Sequence, residues 1–147
     1  NNEDLLLSVA DYYLQKKSDP AKVLGYSTKL AEVMKAKAKP EGAGDEDWIK
    51  KKTLSLGLAY WMAGVTYSGQ NKFSDADKAL REALPFIEGN DQLLAGALFH
   101  LGLANYKMEK IVDAIKFNEA CAKIKSPFQA QAQRNLKAIR SQYRVTK

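Results

Sequence analysis

His100 is the only histidine in the chain and Cys121 the only cysteine. Together they are the one pair that offers a thiolate–imidazole nucleophile. Cys121 falls where small residues recur at helical spacing, and a buried thiol of that kind is inert. One His and one Cys supply too few ligands at compatible spacing for a metal site. Carboxylates are plentiful, but no cleft is evident in the sequence to assign them acid–base work. Gly64 and Gly69 have the glycine spacing of a phosphate loop, yet Gln70-Asn71 stand where lysine and a hydroxyl are required. The stretch is also patterned as helix instead of strand–turn–helix, so Gly64 reads as a packing glycine. The expectation is a chain with no catalytic residues, no metal and no cofactor: not an enzyme.

What remains is recognition chemistry. Arg134, Lys137, Arg140 and Arg144, with Gln129, Gln131 and Gln133 nearby, form a basic stripe at helical spacing. Nucleic-acid binding wants interleaved aromatics and a larger patch, so a nucleic-acid module is a subordinate reading. The net charge of +6 comes from lysines spread along the chain, as on any lysine-rich surface. Hydrophobic residues make up 46% and charged residues 27%, the balance of an ordinary globular domain, and 147 residues can bury a core. A lone cysteine assigns no redox compartment. The chain opens Asn1-Asn2-Glu3 without methionine, as a processed or trimmed piece would, so both a cytoplasmic and an exported origin stay open. The longest nearly apolar run, Leu54 to Val65, falls short of the roughly 20 residues a membrane span needs.

The elements that must position these residues are helices. Leu5, Leu6, Val9, Tyr12 and Tyr13 recur at helical spacing. Ser18-Asp19-Pro20 ends that helix and starts another, Asp19 as cap and Pro20 at the first helical position. Val23, Leu24, Ser27, Leu30, Ala31 and Met34 give its inward stripe, with Lys35, Lys37 and Lys39 at its end. Lys39-Pro40-Glu41-Gly42-Ala43-Gly44 is a loop, and Asp45-Glu46-Asp47 supplies a cap and an acidic first turn. A long helix then runs to about 68, stopped by Gly69-Gln70-Asn71. Shorter helices fit about 74–87, 92–107 and 111–125, and a terminal helix starts at Ser126-Pro127. Strict period-two alternation is absent, so about seven helices and no strand are expected.

Two landmarks repeat with one offset. Gly64 and Gly102 are 38 residues apart, and so are Ala76 and Ala114. The first copy reads Tyr60, Ala63-Gly64, Tyr67, Ala76, Leu80, Ala83; the second reads Leu98, Leu101-Gly102, Tyr106, Ala114, Asn118, Cys121. This pattern resembles the tetratricopeptide repeat, in which small residues let two antiparallel helices approach and aromatics fill the space beside them. The family's usual period is about 34 residues, and Glu88 to Asp91 can hold the extra length. Ala10-Asp11-Tyr12 echoes Ala104-Asn105-Tyr106, and Ala21, Gly25 and Thr28 stand for Ala76, Leu80 and Ala83, if the turn between is one residue longer. The resemblance implies an all-α, right-handed superhelical stack of three hairpins, at about 3–38, 45–87 and 91–125, closed by a capping helix at 127–144. The general look of the repeats suggests a bacterial chain.

Leu58, Trp61, Met62 and Val65 form a second apolar stripe beside the one facing the partner helix. The offset carries Trp61, Met62 and Val65 onto Phe99, His100 and Leu103, and approximately onto Leu5, Leu6 and Val9. The resemblance implies that these positions, with Tyr106, line a concave groove that receives peptides. The lysine, asparagine and arginine set of the family's chaperone-tail clamp is absent from them. The implied function is an interaction scaffold holding an apolar peptide or helix, with Trp61 and Phe99 as anchors. Self-association through the same face is the alternative, and a stripe covered as ordinary core is the third outcome.

Overall fold

A computed structural model describes residues 2–144, and its elements are α1 (Glu3–Lys16), α2 (Pro20–Ala36), α3 (Asp45–Gly69), α4 (Phe73–Ile87), α5 (Asp91–Lys107), α6 (Ile111–Ala122) and α7 (Gln129–Tyr143). Among the described residues there is no strand. Val145 to Lys147 and Asn1, which the sequence places at the chain ends, lie outside them. The caps follow from side chains able to satisfy the orphan N–H groups of a first turn. Asn2 accepts from the amides of Asp4 and Leu5, Asp19 from Lys22 with Pro20 at the first position, and Asn90 from Leu93. α3 departs from expectation: Gly44 is its cap and offers no side-chain bond, while Asp45, Glu46 and Asp47 all sit in the first turn, where the helix dipole favours them.

The C-terminal junction also differs from the sequence reading. α6 ends at Ala122, three residues early, because the amides of Lys123 and Ile124 fold back onto the carbonyls of Ala120 and Cys121. Gln129 Nε2 then donates to the Ala122 carbonyl at 2.9 Å. α7 starts at Gln129 instead of Ser126-Pro127, since Ser126 Oγ accepts from the Phe128 amide and holds these residues as a turn. That turn presents the Phe128 ring to Phe99, with centroids 4.8 Å apart.

The two best copies of the repeat are built alike down to the turn. Asn71 and Glu109, 38 residues apart, both adopt the left-handed conformation, with φ of 59° and 61°. Beyond them the Lys72 amide donates to the Tyr67 carbonyl at 2.9 Å and the Lys110 amide to the Asn105 carbonyl at 2.8 Å, closing each helix end. Seven residues before each left-handed residue stands the packing glycine. A Cβ on Gly64 would lie 2.4 Å from Leu80 Cγ, and one on Gly102 would lie 2.7 Å from Asn118 Nδ2. Leu80 and Asn118 are themselves related by the same offset.

In the first hairpin the left-handed residue is Lys17, and the residue seven before it is Ala10, fully buried. Ala10 therefore matches Gly64 and Gly102, not Ala104. Ala21, Gly25 and Thr28 are exposed, and Val23, Ser27 and Leu30 take the inward places of Ala76, Leu80 and Ala83. The reason is local: α2 begins three residues after its left-handed residue, where α4 and α6 begin two after theirs. The longer turn was expected, but small size was the wrong guide to which side chains point inward. The same shift removes Leu5 from the groove positions; it is 60% exposed, while Leu6 and Leu7 pack on the core.

Each helix packs on its sequence neighbours, and α1, α3 and α5 also touch in a row. The core is correspondingly segmented: Ala10, Val23 and Met62 join α1, α2 and α3; Leu30, Met34, Leu56 and Ala59 join α2 and α3. Leu80, Ala83, Ile87, Ala97 and Leu101 join α4 and α5, and Leu98, Cys121 and Ala132 join α5, α6 and α7. Glu3 fastens one end of the row: its buried carboxylate pairs with Lys37 at 2.8 Å and Lys51 at 3.1 Å, tying α1 to the end of α2 and to α3. These hydrogen bonds, Lys37 first, pull its pKa down to about 2. No helix of the described residues is long and apolar enough to cross a membrane.

Candidate binding cleft

The row α1–α3–α5 does not close completely. Between the end of α1, the start of α2, the second half of α3 and the middle of α5 lies a cleft of about 690 Å³, within the range of ligand-binding pockets. Trp61, Val65 and Leu103 line it with Leu14 and Val23, while Tyr13, Gln15, Lys17, Thr66, Ser68, Gln70 and His100 supply its polar wall. It opens here because α3 ends in an Asn71 turn whose preceding residue, Gln70, faces the cleft instead of a neighbouring helix.

Of the eight residues expected at the groove, Trp61, Val65, His100 and Leu103 line this cleft. Met62 lies beneath it, 1% exposed, packed with Ala10 and Val23. Leu58 is half-buried against the same cluster. Phe99 is covered by Phe128, and Tyr106 faces a separate cleft of about 270 Å³ between α5, α6 and α7, its hydroxyl 2.8 Å from Gln142 Oε1. Leu103 lines both clefts and forms the ridge between them.

Trp61 is both lining and fastening. Its Nε1 donates to the Leu93 carbonyl at 3.1 Å, and its ring lies against Gly96, where an added Cβ would sit 3.4 Å from the indole. Trp61 thus clamps α3 to α5 as Phe99, one repeat on, is clamped by Phe128. His100 Nδ1 lies 2.9 Å from Ser68 Oγ, and burial holds the imidazole below its ordinary pKa, so it is neutral at pH 7. Gln70 Oε1 is buried with no partner. The sequence reading missed Tyr13, Gln15, Lys17, Ser68 and Gln70. Their only signal was nearness to the A–B turn of a hairpin, which counting back from Asn71 and Lys17 would have given.

The side chains considered for catalysis are occupied otherwise. Cys121 Sγ donates to the Ala95 carbonyl at 3.5 Å, and desolvation pushes the thiol up to about 11. Among the described residues no group of His, Cys, Asp and Glu is placed to hold a metal ion. In the basic stripe, Arg140 pairs with Glu119 at 3.3 Å and Arg134 donates to Gln131. Compared with protein-family models, curated proteins and solved structures, the chain matches none.

Proposed function

We propose that the chain is a tetratricopeptide-type interaction module that holds an apolar protein segment in the cleft of its α1–α3–α5 row. The observation that carries this reading is the cleft itself, floored by Trp61, Val65 and Leu103 at matching places of successive repeats. A short helix or extended segment fits such a trough by laying apolar anchors into it. The anchors would be received by Val65, Leu103 and the exposed edge of Trp61, with Phe99 held back under Phe128. Catalysis is not part of the reading: the thiol and imidazole are spent on packing and on a bond to Ser68.

Trp61 provides the assay. In a Trp48→Phe variant, its emission should shift when an amphipathic leucine-rich peptide is titrated in. Val65→Arg with Leu103→Arg should abolish that shift while the helical spectrum persists and stability changes by no more than about 2 kcal/mol. No shift in the parent, with a monomer in sedimentation, would overturn the reading. A dimer that the same two arginines dissociate would move the assignment to self-association through this face.

A further inference from the structure

The charges around the cleft say what kind of segment it takes, an inference that rests on the cleft being a protein-binding site. None of the residues lining it is aspartate or glutamate, and its one charged side chain is Lys17. The segments that join the helices of each hairpin, on the edge where Lys17 and Gln70 sit, are also basic. They carry Lys16, Lys17, Lys72, Lys107 and Lys110, counting the last helical residue of α1 and α5. Among the described residues none of these five makes an ion pair, and all are exposed. The acids in the same segments are Asp19, paired with Lys22 at 3.8 Å, and Glu109. Asp11, one turn back on α1, is bonded to Gln15, and on α6 Asp113 is held by Arg81. Elsewhere on the molecule lysines are matched: Lys37 and Lys51 by Glu3, Lys39 by Asp45, Lys50 by Glu46. The unmatched ones gather at the mouth of the cleft.

We infer that the partner is an amphipathic protein segment whose apolar anchors enter the cleft and whose acidic flank lies along the lysines of the hairpin turns. The anchors supply burial; the flank supplies orientation and speed of encounter, because opposite charges at a rim steer approach more than they deepen affinity. A flank of the opposite sign would be rejected by the same lysines, so charge sets which end of the segment leaves the cleft on this side.

Three labelled peptides with identical leucine anchors and a flank of four glutamates, four serines or four lysines test this by fluorescence anisotropy. The glutamate peptide should bind about tenfold more tightly than the serine peptide at low salt, as a few exposed ion pairs allow, and the gap should shrink as salt screens them. Lys17→Glu with Lys72→Glu should erase or reverse the preference, and Lys29→Glu with Lys78→Glu, on α2 and α4 away from the lining, should leave it intact. Equal binding of all three peptides would overturn the acidic partner and leave the cleft standing. Absence of binding by any of them would overturn both. A single-stranded oligonucleotide that displaces the glutamate peptide at equal concentration would also overturn it, since the lysines would then be reading phosphate.

Discussion

Cys121 shows how a residue's type is overruled by its surroundings. A free thiol beside the chain's only histidine in the inventory suggests a nucleophile, but the thiolate is the reactive form and burial raises the cost of making it. With the thiol pushed up to about 11 and fully buried between α5 and α7, thiol reagents should react roughly a thousandfold more slowly in native protein than in denatured chain. Rapid labelling of the native state at neutral pH would show that this cluster opens. Glu3 is the opposite case, a buried acid made more acidic by two lysines. Its folded pKa of about 2 lies below the ordinary 4.5, so its contribution is full above pH 4.5 and is lost as pH falls toward 2. Glu3→Gln should cost roughly 1–3 kcal/mol at neutral pH and flatten the fall in stability across that window, as read from urea melts at several pH values.

Between elements, the same residue type has opposite effects according to what its missing Cβ would meet. Gly25 is exposed on α2 with nothing within 4 Å, so Gly25→Ala should stabilise by about 0.5–1 kcal/mol through helix propensity. Gly64→Ala gains the same propensity but drives a carbon to 2.4 Å from Leu80 Cγ, forcing α3 from α4. Overpacking of this kind costs roughly 1–3 kcal/mol and should leave the variant less stable than the parent. Thermal melts of the two variants should move in opposite directions. Movement in the same direction would mean that Gly64 is not at a close helix contact.

At the scale of the molecule, a segmented core makes stability a sum over neighbours. The four clusters share few residues, and α7 touches the rest mainly through Phe128, Ala132, Leu136 and Ile139. Removing residues 126–147 should therefore unroof Cys121, Leu98 and Phe99 while α1 to α4 keep their packing. Thiol labelling of Cys121 should rise sharply while most of the helical signal remains. Complete loss of helix on this truncation would mean that the core is one cooperative unit and not a chain of local ones.

The sequence by itself determined the helices, the offset of 38 and the close contacts at Gly64 and Gly102, because each depends on local spacing or on a residue only glycine can replace. Capping by Asn2, Asp19 and Asn90 is similarly local, and a cap lies within three residues of what it caps. The tertiary structure alone decided which apolar stripe residues are surface. Met62 and Trp61 are adjacent in sequence and equally apolar, yet one lies beneath the cleft and the other on it, according to where α1 and α5 happen to reach. Likewise only folding brings Phe128 onto Phe99, or Glu3 between Lys37 and Lys51, since no periodicity relates residues so far apart in the chain. The first hairpin marks the boundary between the two kinds of knowledge. Its turn length could be read, but Ala10 standing in for glycine, and Val23 pointing inward where Ala21 does not, follow from the angle at which α2 leaves Lys17 and packs back on α1.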